Sequence, residues 1–113
     1  MTDPGFAPEP VTRTTRPWGS FDQFVTNQEC TVTIVTVGPG QQLPWQRHGR
    51  HDEVWHVLEG RLDIDRGLRS LTVGPGEPVS IPRGTSHRVG NTTASPARIL
   101  QIAFGDPEPP EGR

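Results

Sequence analysis

Four histidines stand at positions 48, 51, 56 and 87, three of them close together with acidic residues between them. Imidazoles interleaved with carboxylates suit two chemistries, metal ligation and proton transfer. A helical HExxH zinc site is excluded by spacing. His51 and His56 are five residues apart, which puts them about 140° apart around a helix and not on one face. Strand parity fits better. Gln46 and His48 are two apart and share a face on one strand. On the next strand Glu53 shares a face with Trp55 and Val57, while Val54, His56 and Leu58 face away. A site between the two strands gathers Gln46, His48 and Glu53 without His56, and His87 opens a later strand after the turn Pro82-Arg83-Gly84-Thr85-Ser86.

These residues need a scaffold, and composition restricts which one. The 113 residues suffice for one domain, and the net charge of −2 gives no field that would draw the chain to nucleic acid or an anionic membrane. Glycine and proline together make 26 residues, and only 30 % are hydrophobic, which favours a compact β-fold with many turns over a helical core. All eleven basic residues are arginine, so Schiff-base catalysis and a P-loop lysine are excluded. A single cysteine, Cys30, rules out an internal disulfide, a thiolate zinc finger and a CxxC redox centre. The first twenty residues carry no apolar signal region, and no run is long enough to span a bilayer as a helix. The expectation is a cytoplasmic protein with neither nucleic acid nor membrane as partner.

Short β-branched runs separated by turn residues predict strands at Phe21–Thr26, Thr31–Val37, Gln42–His48, Glu53–Glu59, Arg61–Asp65, Ser70–Val73, Pro78–Ile81, His87–Gly90 and Ala97–Phe104. Residues 1–15 read as a flexible arm, 16–105 as the folded domain, and 106–113 as a disordered or surface-bound tail. Thr36-Val37-Gly38-Pro39-Gly40 recurs as Thr72-Val73-Gly74-Pro75-Gly76. The repeat suggests a jelly roll of two related halves, or simply the same turn used twice.

The spacing Gly40-(x5)-Gln46-x-His48-(x4)-Glu53-(x6)-Gly60 resembles the first cupin motif, with glutamine at the usual first histidine. Gly76-(x5)-Pro82-x-Gly84-(x2)-His87-(x3)-Asn91 fits the second motif throughout. The resemblance implies an all-β, single-domain cupin barrel with metal held by Gln46, His48, Glu53 and His87. Two imidazoles, a carboxylate and an amide suit Zn²⁺, and Fe, Mn, Ni and Co also fit such a set. Arg16-Pro17-Trp18-Gly19-Ser20-Phe21 and the run Gln46-x-His48-(x4)-Glu53-x-Trp55 are more narrowly similar to the cupin domain of type II phosphomannose isomerases, over about Arg16 to Gly105. Relatives of that kind carry a transferase half for which this chain has no room, so no nucleotide-sugar synthesis is expected of it.

The likeness implies a metal-dependent aldose–ketose isomerase acting on a sugar phosphate of the mannose 6-phosphate type. Arg50 is the candidate contact to phosphate or transition state. His51 has two readings, a solvated loop residue first and a proton-transfer group at the barrel mouth second. Two other functions compete: a non-catalytic metal- or sugar-binding module, and a non-heme iron oxygenase built on His48, Glu53 and His87. Trp55 is read as core. Trp45, facing away from Gln46, is read as covering the surface of a homodimer.

Overall fold

A computed structural model describes residues 12–105. The expected arm up to residue 11 and the tail from residue 106 lie outside the described residues. Among the described residues every regular element is a strand, so no helix is long and apolar enough to cross a membrane. The strands are β1 (Thr12–Arg16), β2 (Gly19–Gln23), β3 (Cys30–Val37), β4 (His51–Glu59), β5 (Leu62–Arg66), β6 (Arg69–Val73), β7 (Pro78–Ile81), β8 (His87–Gly90) and β9 (Ala97–Gly105).

All pairings are antiparallel. A four-stranded sheet runs in the order β3-β9-β4-β7, a three-stranded sheet in the order β6-β5-β8, and β1 and β2 form a hairpin of their own. The two larger sheets enclose one core. Val37, Trp55, Val57, Leu62, Ile64, Val73, Val79, Ile81, Val89, Ala97 and Ile99 point into it and are at most 3 % exposed. Alternation along β4 follows the pleat: His51, Glu53, Trp55 and Val57 face inward, while Asp52, Val54, His56 and Leu58 lie on the other side, where Val54 alone is buried. β4 is central, with β9 and β7 pairing on either side of it.

Both copies of the repeated pentapeptide fold alike. Gln41 N–H donates to Gly38 O and Glu77 N–H to Gly74 O, each at 3.1 Å. Proline is second in each turn and a glycine of positive φ third, Gly40 at 72° and Gly76 at 84°. This is the residue pattern a type II turn requires. One turn closes a strand of each larger sheet.

Four elements differ from the sequence reading. β2, expected over Phe21–Thr26, runs from Gly19 to Gln23, because it is set by its pairing with β1 and not by its own apolar residues. β1 occupies the last part of the segment expected to be an arm, its Thr and Arg residues paired to β2 and Arg13 held bidentately by Asp22 at 2.7 and 2.8 Å. The strand expected over Gln42–His48 is reduced to two isolated bridges, Gln42 to Gly90 and Gln46 to His87, because Pro44 removes a donor from its middle. β4 begins two residues early. His51 and Asp52 already pair with Gly105 and Phe104 of β9.

Candidate metal centre

The bridge between Gln46 and His87 positions the first half of the site. Each N–H donates to the other's carbonyl at 2.9 Å, so the loop before β4 is fixed to the start of β8. His48 follows immediately, and its carbonyl accepts Gly84 N–H at 2.7 Å. Arg47 Nε adds a bond to Gly84 O at 3.0 Å. The turn that carries His87 and the loop that carries His48 are thereby locked together.

β4 supplies the second half. His51 Nε2 lies 2.8 Å and His48 Nε2 3.4 Å from the same oxygen, Glu53 Oε2. The two imidazoles stack with centroids 4.5 Å apart, and one ligand atom from each of His48, His51 and Glu53 fits within 4.8 Å of the others. The second carboxylate oxygen, Oε1, accepts Trp55 Nε1–H at 2.6 Å. His87 sits beside this group, its ring centroid 5.1 Å from that of His48. Its Nδ1 is 3.1 Å from Thr85 O, the contact that a metal-ligating histidine commonly makes with the nitrogen it does not use. His51, Glu53 and His87 are all under 9 % exposed. A buried carboxylate is costly unless paired and hydrogen-bonded, and Glu53 has the His51 imidazole and the Trp55 indole as partners.

His48 and Glu53 are therefore neighbours, as the spacing suggested, and His87 stands against His48 and Trp55 but outside the group whose ligand atoms lie within 4.8 Å of one another. Gln46 is held nearby through its backbone; the residue is exposed and its side chain forms no hydrogen bond among the described residues. His51 is a correction. The reading as a solvated loop residue fails because strand pairing extends back to it and turns its side chain inward beside Glu53. The parity that separated His56 from Glu53 would have placed His51 correctly had the strand been started at residue 51. His56 does face away, half-buried opposite Pro78 and Leu100, and burial pushes its imidazole below the ordinary value.

The arginines divide by face. Arg50 is exposed on the loop leading into β4. Arg83 spans the same end, its backbone N–H and guanidinium donating to Asp52 at 2.8 and 3.1 Å. Burial alone would raise the Asp52 carboxyl, but these bonds outweigh it and leave it below its ordinary value. Arg88 points outward, paired with Asp65 at 2.9 Å, and its guanidinium lies 4.7 Å from the centre of the Trp45 ring. Trp45 is thus partly covered by its own chain.

A β-barrel with ligand-type side chains gathered at one end and both spaced motifs in place defines a class of protein. The family model for the cupin domain matches residues 33–103, and the chain belongs to that family. It is 32 % identical over 90 residues to the xanthan biosynthesis protein XanB of Xanthomonas campestris, a match covering 80 % of this chain and 19 % of the relative. It is 30 % identical, over the same shares, to the mannose-1-phosphate guanylyltransferase RfbM of Salmonella typhimurium. The chain thus spans about a fifth of the length of these curated relatives. Among solved structures, TT1209 from Thermus thermophilus superposes with a TM-score of 0.66 at 23 % identity, over 95 % of this chain and 98 % of that one, a likeness of fold.

Proposed function

We propose that the chain is a metal-dependent aldose–ketose isomerase of sugar phosphates, with mannose 6-phosphate and fructose 6-phosphate as the first pair to test. The observation that supports it most is the convergence of His48 Nε2 and His51 Nε2 on Glu53 Oε2, beside buried His87. Three imidazoles and a carboxylate suit Zn²⁺ and equally Fe, Mn, Ni or Co. In this reading His48, His51 and Glu53 hold the ion, with His87 beside them, and Gln46 is the further ligand that the motif implies. A bound divalent ion would supply a Lewis acid for the carbonyl and hydroxyl oxygens of the sugar and for the charge that develops between them.

The remaining work falls to the chain. Trp55 holds one oxygen of Glu53, leaving the other toward the imidazoles. Arg50, exposed on the loop leading into β4, is the candidate partner for the phosphate, a role its forked guanidinium suits. The Asp52–Arg83 pair braces the loop beside it. The sugar-phosphate substrate class comes from the relatives whose names include mannose 1-phosphate and from the motif likeness, carried over to this chain as part of the proposal.

The test is conversion of mannose 6-phosphate by metal-replete protein in deuterated water, followed by NMR. Interconversion that needs divalent metal, stops with chelator and places solvent deuterium at C1 or C2 supports the isomerase. Metal-replete protein that binds the sugar phosphate without converting it above buffer defeats the isomerase and leaves a binding module.

A further inference from the structure

We infer that Trp55 is a positioning residue that makes Glu53 a one-oxygen ligand and so narrows which ions the site accepts. The inference rests on the metal reading of the site. Trp55 fits the core by composition and is only 2 % exposed, but its polar edge is directed at the site. The indole Nε1–H donates to Glu53 Oε1 at 2.6 Å, while Oε2 faces the Nε2 atoms of His48 and His51. The two carboxylate oxygens therefore have separate tasks.

Backbone geometry makes the division rigid. Glu53 and Trp55 alternate on one face of a strand paired on both sides, Glu53 with Ile81 and Ala103, Trp55 with Val79 and Gln101. The ring also stands edge-on to His87, centroids 5.4 Å apart. An indole offers one donor and no acceptor, so it can hold a carboxylate oxygen but cannot take a proton from it. With one lone pair of Oε1 engaged and that oxygen drawn toward the indole, Oε2 is the oxygen Glu53 presents to the imidazoles. A one-oxygen carboxylate among imidazoles suits small tetrahedral or octahedral transition ions. Ca²⁺ requires six to eight oxygen ligands, often with a two-oxygen carboxylate, and is disfavoured here.

The test compares wild type, Trp55→Phe and Val57→Ala using Co²⁺ alone as probe. Val57 also faces inward on β4 and is 1 % exposed, so its truncation reports lost packing without a lost hydrogen bond. The expected result for Trp55→Phe is Co²⁺ affinity lowered ~10–100-fold, the usual effect of losing a group that orients a ligand. Its visible absorption should change in intensity at saturating Co²⁺. Val57→Ala should lose thermal stability and keep the wild-type Co²⁺ spectrum.

Trp55→Phe matching wild type in affinity and spectrum overturns this inference alone. Wild type that takes up no Co²⁺ overturns the metal reading and the inference with it. If Trp55→Phe does not fold, the decision moves to wild-type protein. One of its three indole N–H resonances should then be shifted strongly downfield, protected from exchange, and lost in Glu53→Ala. Three indole protons exchanging at solvent rate overturn the inference.

Discussion

His51 and Glu53 stand two residues apart on β4, and their side chains meet inside the barrel with Nε2 2.8 Å from Oε2. This pairing adds a donor the motif spacing does not contain. His51→Ala is expected to weaken Zn²⁺ binding at least as much as loss of an orienting group, ~10-fold or more. His48→Ala, Glu53→Ala and His87→Ala should do the same. Gln46→Ala should lose less than any of them, and His56→Ala nothing. Elemental analysis of protein purified without chelator, with Zn²⁺ titration of each variant, checks this. Equal metal loss in His56→Ala and His51→Ala would show that β4 is turned the other way.

Gly60 lies at the end of β4 with φ of 79°, and an added Cβ would come within 2.8 Å of Pro96 O and 2.9 Å of Ala97. Gly60→Ala is expected to cost roughly 2–4 kcal/mol, from the left-handed conformation and the backbone overlap together. Gly67, at 60° with open space around it, supplies the comparison. Gly67→Ala should cost only about 1 kcal/mol. Urea unfolding of the two variants separates them, and equal midpoints would contradict the close approach at Gly60.

The Asp65 carboxylate is held below its ordinary value, first by the Ser70 hydroxyl at 2.6 Å and, against the opposing effect of burial, by the Arg88 guanidinium. For an acid depressed on folding, the stabilisation is present above the unfolded value and disappears as pH falls through the folded one. Asp65→Asn should cost about 1 kcal/mol near neutral pH, since the pair is partly exposed. The difference from wild type should shrink to nothing well below the ordinary aspartate value of about 3.9. Denaturant titrations at the two pH values measure it, and a gap that persists in acid would mean the loss is one of packing.

His56 carries the opposite dependence. Burial lowers the pKa of its imidazole, so the unfolded chain takes up this proton before the folded one does. Stability from this group is then present above the ordinary value of 6.5 and falls as pH drops from there through the depressed folded value. Replacing it by glutamine, which does not titrate, should flatten the loss of melting temperature between about pH 7.5 and about pH 5.5 relative to wild type. Parallel pH profiles for His56→Gln and wild type would assign the slope to other histidines.

The legibility of this chain follows from where its information is local. Strands β3 and β5 to β9 could be read from β-branched runs between turn residues, because each run is long enough to show its own period. The two Gly-Pro-Gly turns were legible because proline and a left-handed glycine leave few alternatives. β1 was not, since Thr12–Arg16 has no apolar residue and is held by its hairpin partner and the Arg13–Asp22 pair. The site divided in the same way. His48, Glu53 and His87 came from spacing, while His51 depended on where β4 starts. That start is set by pairing with Phe104 and Gly105, half the chain away. No local signal at Gly49-Arg50-His51 announces such a contact. Trp55 looked like packing because a hydrogen bond to its neighbour but one requires knowing which way the indole turns.

The pairing of Gly105 with His51 also has a bearing on what the last strand can tolerate. At Gly105, whose φ is 117°, an added Cβ would sit 3.1 Å from Arg50 O and 3.2 Å from His51 Cα, so the backbone passes directly over the rim of the site. A side chain placed at position 105 would therefore be felt at the site itself, because the backbone it presses on is the stretch that turns His51 toward Glu53.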